Sequence, residues 1–153
     1  MRKLPLVLLS IISPFIFFHT LQAIDSKGAI IIANLEGQVT VKNNDTGVPL
    51  SADRVKVGGM IFDGHTVETG KGSKVVLLFS SGTITTLKEE SVLNIKKFAQ
   101  QKFDPKSAGK LSARKDEPSP SETIIDLSLG DMVVDVKKLK KESSFNIDSP
   151  VGT

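Results

Sequence analysis

The sequence predicts an all-β fold, a compact β-sandwich or a flattened β-solenoid-like domain of about eight to ten short strands with one long polar insertion loop. Three observations predict it. Val, Ile and Thr recur in short runs, many of them alternating with polar residues in the period of a half-buried strand. Gly37, Gly47, Gly58, Gly59, Gly64, Gly70, Gly72 and Gly82 follow one another so closely that a helix longer than about two turns has little room between them. The chain of 153 residues is long enough to fold on a hydrophobic core, and it has no Cys with which to staple one.

The first element is a targeting segment. Residues 1–23 open with Arg2 and Lys3, continue through an apolar stretch over residues 4–18, and end at Ala23. A basic start, an apolar middle and a small residue at the cut is the pattern of an export signal cleaved near Ala23. The apolar stretch is shorter than the ~20 residues a membrane-spanning helix needs, and Pro5 and Pro14 weaken a helix there. The alternative is an uncleaved anchor. A lipid anchor on Cys is excluded. The reading gives residues 24–153 as one exported domain, periplasmic or extracellular, with no stable transmembrane anchor after cleavage.

The domain then reads strand by strand. Val39 and Val41 alternate with polar neighbours, and residues 43–47 form a turn. Val55 and Val57 alternate in a second strand. Residues 74–79, Lys-Val-Val-Leu-Leu-Phe, are a continuous apolar run that suits a central strand covered on both faces. A Ser80-Ser81-Gly82 turn joins it to the β-branched run around Ile84 as a hairpin. Leu93 and Ile95 share one face of the next strand. Ile125, Leu127 and Leu129 alternate, as do Met132, Val134 and Val136, and Phe145 and Ile147 close the series. The expected core is Val39, Val41, Val57, Val75, Leu77, Phe79, Ile84, Leu93, Ile95, Ile125, Leu127, Leu129, Val134, Val136, Phe145 and Ile147.

Residues 99–122 interrupt this rhythm with charged residues and prolines. They hold too little apolar surface to be ordered by themselves, and predict an exposed insertion loop. A weak internal similarity links residues 55–61 with residues 127–133, each an alternating strand, a glycine and an apolar run. It suggests a β-corner used twice rather than a repeat array.

Composition excludes most chemistry. Without Cys there is no thiol nucleophile and no Cys-ligated metal. The aromatic residues are all Phe, which disfavours base stacking on single-stranded nucleic acid. Removing residues 1–23 takes two of the 20 basic side chains and none of the 17 acidic ones, so the exported chain is close to neutral and is a poor nucleic-acid binder. His65, beside Asp63 in Asp63-Gly64-His65, is the one histidine left; a turn explains the trio, and a metal ligand or an acid–base pair is the alternative. Residues 64–72 miss the phosphate-loop spacing, and Asn43-Asn44-Asp45-Thr46-Gly47 lacks the carboxylates of a calcium loop. The expectation is a non-enzyme with no catalytic residues, no metal and no cofactor.

One charge cluster remains. Lys137, Lys138, Lys140 and Lys141 fall within five residues and are candidate contacts for an anionic partner. Asp135 and Glu142 flank them, and the same lysines would equally protect a sheet edge from pairing with another chain.

The order of signals resembles the FecR-type domain. The residues that carry the resemblance are Gly37-Gln38-Val39-Thr40-Val41, Val67-Glu68-Thr69-Gly70, residues 73–82, Leu87 with Ser91, Leu93 and Ile95, Leu127-Ser128-Leu129-Gly130, and Phe145-Asn146-Ile147-Asp148-Ser149-Pro150. The resemblance covers about residues 30–153. It implies a periplasmic interaction and signalling module whose partner is another envelope protein. The family pattern continues past Ser-Pro into an Arg-Gly-Thr-type strand, so it also implies a domain that is incomplete after Thr153. Members of the iron-dicitrate type carry a cytoplasmic segment and a transmembrane helix ahead of the domain. An export signal stands there instead, so the relay to the cytoplasm is not implied. An envelope-polymer or carbohydrate-binding module, with the four lysines as contacts, is the alternative.

Overall fold

A computed structural model describes residues 26–150; the proposed signal lies outside them. The domain is all-β. Its strands are β1 (Ile30–Glu36), β2 (Val39–Asn43), β3 (Met60–Ile61), β4 (His65–Thr69), β5 (Lys74–Phe79), β6 (Ile84–Leu87), β7 (Val92–Gln100), β8 (Ser121–Leu129), β9 (Met132–Asp135) and β10 (Ser144–Asp148). They form two five-stranded sheets, in the orders β3-β1-β5-β6-β9 and β10-β8-β7-β4-β2. We call these the first and second sheets. All pairs are antiparallel except β8 with β10.

The core lies between the sheets, as period-two alternation requires. Val75, Leu77 and Phe79 of β5 face Val41, Val67, Leu93, Ile95 and Ile125 of the second sheet, with Ile30, Ile32, Ile61 and Leu87 completing the cluster. Phe79 and Phe98 meet edge to face, ring centres 4.9 Å apart, and so join the two sheets. Phe98 points inward because β7 bulges between Ile95 and Lys97. The extra residue, Lys96, reverses the alternation, turning Lys97 out toward Glu122 and Phe98 in. Residues 26–28 run beside the end of β7, Gly28 N–H donating to Phe98 O at 2.9 Å, before the chain enters the first sheet. Gly28 is required there, since a β-carbon would lie 2.3 Å from the Phe98 ring.

The sheet orders correspond position by position, β1 with β8, β2 with β9, β4 with β6 and β5 with β7. The correspondence extends to single hydrogen bonds. After β1, Gly37 takes a positive φ and Gln38 N–H donates to Ser73 Oγ at 2.8 Å; after β8, Gly130 takes a positive φ and Asp131 N–H donates to Ser91 Oγ at 3.0 Å. Gly70 N–H donates to Gln38 O, and Lys88 N–H to Asp131 O. Ser73 and Ser91 each donate to the carbonyl two residues earlier. Gly72 and Glu90, each just before its serine, both have positive φ. The domain is therefore built on two equivalent corners at which the chain crosses between sheets. Of the two expected segments, residues 127–133 span the second corner around Gly130, but their counterpart is the segment around Gly37 rather than residues 55–61.

Five expected core residues are corrected. Ile84 faces outward, because Thr85 and Leu87 take the inward positions of β6. Val57 is 60% exposed because residues 54–57 form turns, with Arg54 N–H and Val55 N–H both donating to Ser51 O, rather than a strand. Leu129 is 59% exposed beside the second corner, and Val136 lies past the end of β9. Ile147 sits on β10, the outermost strand of its sheet, with little core left to cover it. The insertion is also shorter and better anchored than expected. Ala99, Gln100, Ser121 and Glu122 belong to strands, and the intervening residues carry a short helix α1 (Pro105–Ala108) capped by Asp104, a 3-10 turn, and buried Ala108, Glu117 and Ser119.

Candidate functional site

Three surfaces present groups that could meet a partner. The first is the lysine segment. Lys138 N–H donates to Lys115 O and Glu117 N–H to Lys138 O, so the segment lies in a short parallel bridge with the insertion. Glu117 fixes it. This carboxylate is fully buried; it accepts from Lys140 N–H at 2.6 Å, from Ser121 Oγ at 2.6 Å, and from Ser143 Oγ. These donors lie on three segments, which ties the insertion to the lysines and to the start of β10. The four lysines do not act as one group. Lys137 is held back, its ammonium on Asp135 and its stem against the Gly82 turn. Lys138, Lys140 and Lys141 are exposed, with no carboxylate partner among the described residues.

The second surface is the outer face of the first sheet. Strand register places Met60, Ile31, Leu78 and Ile84 in one row across four adjacent strands, ending at Asp135 on β9. The neighbouring row is Asn34, Val76, Thr86 and Val133. Ile31, Val76, Leu78 and Ile84 are half-buried, whereas Met60 and Val133 are exposed. The outer face of the second sheet is built oppositely. Lys42 pairs with Glu68 at 2.7 Å, Lys97 with Glu122 at 2.7 Å, and Lys96 lies between Asp126 and Asp148 at 3.4 and 3.0 Å. The Asp148 hydrogen bond, more than Asp126, holds the Lys96 ammonium above its ordinary pKa. One face is thus a lattice of ion pairs, and the other carries an apolar band with the Glu36–Lys74 pair at 3.1 Å and Asp135 at its margins.

The third surface is a cleft at one end of the sandwich, lined by Asn43, Asp45, Phe62, Asp63 and His65, with Lys27 and Lys96 at its sides. The inward-facing row of β2 runs Val39, Val41, Asn43 and that of β4 runs Thr69, Val67, His65, with Asn43 and His65 paired in register. Both rows therefore turn polar at the same end, where the space between the sheets opens to solvent. His65 is not paired with the Asp63 carboxylate. Its Nδ1 lies 3.2 Å from Phe62 O and 3.1 Å from Asp63 O. Two carbonyl acceptors put the proton on Nδ1 and leave Nε2 as the free ring position. The Asp63 carboxylate instead meets Lys27 at 3.6 Å. Among the described residues no three His, Asp or Glu side chains are grouped to hold a metal ion, and no helix is long and apolar enough to cross a membrane.

The lysines and His65 carry a signal in the sequence. The apolar band does not, because it is created by register between strands far apart in the chain. No family model, no curated protein and no solved structure matches this chain.

Proposed function

We propose that this chain is an exported, non-enzymatic FecR-like domain that acts as a protein-interaction and signalling module of the bacterial envelope, and that it meets its partner through the outer face of the first sheet. The observation that carries the reading is the contrast between the two outer faces. Apolar side chains in water gain roughly 25 cal/mol per Å² when a partner covers them, whereas the ion pairs of the opposite face lose their solvation on burial. The FecR-like reading is supported by the motif residues themselves: Gly37, Gly70, Ser73, Ser91 and Gly130 are the residues that build the two corners.

The test is site-specific photo-crosslinking in the envelope of the native cell. A photoreactive residue at Leu78 is expected to give one discrete adduct that Val76→Glu abolishes, and the same residue at Thr66 on the opposite face is expected to give none. Equal adducts from both faces, or none from Leu78, would reject this surface.

A second reading, contact with an anionic envelope polymer, is favoured by the fixed placement of exposed Lys138 and Lys140 beside Lys115. Salt separates the two. Binding of polyphosphate through these lysines falls steeply as ionic strength rises, whereas contact through the apolar band does not.

A further inference from the structure

We propose that the cleft at the open end of the sandwich binds a neutral sugar of one or two rings. Its volume is about 390 Å³, inside the roughly 300–1,000 Å³ typical of small-molecule sites. The inference stands apart from the apolar band, which lies on a different face.

The argument rests on which polar atoms are left over. The two lysines at the cleft are already neutralised, Lys27 by Asp63 and Lys96 by Asp126 and Asp148. Asn43 Oδ1 is also occupied, accepting from Asp45 N–H and from Thr46. What remains is a mixed set: the Asn43 amide as donor, and His65 Nε2 with the Asp45 carboxylate as acceptors. An anion would meet Asp45 and Asp63. A metal cation would find no group of three His, Asp or Glu ligands among the described residues. A hydroxyl group both donates and accepts, so an array of hydroxyls satisfies the whole set without bringing a charge. Phe62 supplies an apolar wall against which the C–H face of a sugar ring can lie.

The site is also held in place. Asn44 N–H donates to Gly64 O at 2.9 Å and Gly64 N–H to Ile95 O at 2.8 Å, which fixes the loop between β3 and β4 to both neighbouring strands. The two carbonyls on Nδ1 fix the imidazole. Preorganised groups of this kind lose little entropy when a ligand arrives.

Amide chemical shifts of the isotope-labelled domain test the proposal, with cellobiose and the disaccharide of N-acetylglucosamine as probes. At least one is expected to move the Asn43, Gly64 and His65 amides in a saturable way, with a dissociation constant of about 1 mM or tighter. Asp45→Ala, at an exposed position, is expected to leave the unfolding midpoint unchanged and to weaken binding roughly three- to tenfold. No saturable shift with either sugar, shifts confined to another surface, equal shifts with sodium sulfate, or full binding by Asp45→Ala would each overturn it.

Discussion

The hydroxyl of Ser91 fills the space that a β-carbon on Gly130 would need; the two would meet at 2.1 Å. Gly130 also holds a positive φ of 82°. Gly130→Ala therefore meets both backbone strain and a collision, and is expected to lower the stability of the domain by more than about 2 kcal/mol. Gly47 has a similar φ of 68° and open space around it, so Gly47→Ala should lose only about 1 kcal/mol. Urea unfolding midpoints compare them, and equal shifts would contradict the account of the corner.

Removing the serine hydroxyl tests the same corner from the other side. Ser91→Ala leaves the Asp131 N–H without its acceptor, and Ser73→Ala does the same to Gln38 N–H. Both serines are buried, so each change is expected to destabilise by about 1–3 kcal/mol. Because the corners are equivalent, similar losses are expected; a neutral result at one of them would break the equivalence.

Leu77 and Leu78 are neighbours on β5 with opposite surroundings, Leu77 in the core and Leu78 on the outer face. Leu77→Ala is expected to lose about 2–5 kcal/mol. Leu78→Glu is expected to retain the fold while eliminating the adduct formed by a photoreactive residue at Ile84, its partner in the same outer row. Thermal unfolding and crosslinking of the two variants give a paired readout that separates loss of structure from loss of contact.

Glu117 holds the insertion down. With Glu117→Ala, the Lys140 N–H and the hydroxyls of Ser121 and Ser143 lose a common acceptor. A loss of about 1–3 kcal/mol is expected, with faster tryptic cleavage after Lys115 and Lys138. Unchanged cleavage would show that the carboxylate is not what anchors these segments.

Two exposed groups set opposite pH limbs. A hydrogen bond from Lys74, and then one from Asn34, holds the Glu36 carboxyl below its ordinary value of 4.5. Its stabilisation is present above that value and is lost as pH falls through the lowered one. Lys96 is held above 10.5 by Asp148 first, so its contribution is present below 10.5 and is lost as pH rises through the raised value. Both groups are solvent-exposed, and high salt should shrink both effects. Melting temperatures of Glu36→Gln and Lys96→Met should approach the parent's at the acid and alkaline ends respectively. A constant gap across pH would refute the assignment.

The sandwich was legible where alternation is regular. Val41, Leu93, Ile95 and Ile125 are buried as their spacing requires. It failed where a bulge or a non-alternating run intervenes. Phe98 was missed because strict alternation puts Lys97, not Phe98, on the face of Leu93 and Ile95. Strand β1 is not legible because Ile30-Ile31-Ile32 has no period and lies only a few residues after the proposed signal segment. Val57 faces solvent because the alternation of residues 54–57 is accidental, and Gly59 lets the chain fold back so closely that a β-carbon there would lie 2.0 Å from Arg54 O. Of the corner repeat, residues 127–133 are one member and residues 55–61 are not the other, since what recurs is a serine-centred hydrogen-bond pattern rather than an apolar spacing. At the cleft, His65 was visible as a residue type. Its partnership with Asn43 depends on strand register, which no local pattern reveals.

The crossing of the chain between sheets at both corners also governs how the domain can fold. Only β5 with β6 and β7 with β8 join strands that are consecutive in the chain; every other pairing brings together distant segments, as when Ile30 meets Phe79. Topologies of this kind have high contact order and reach their transition state slowly, in milliseconds to seconds. The β5–β6 hairpin, with the shortest loop to close, is the natural nucleus. The chain passes from one sheet to the other after β1, β2, β3, β4, β6, β8 and β9, so neither sheet is a continuous stretch of chain that can be finished before the other is begun.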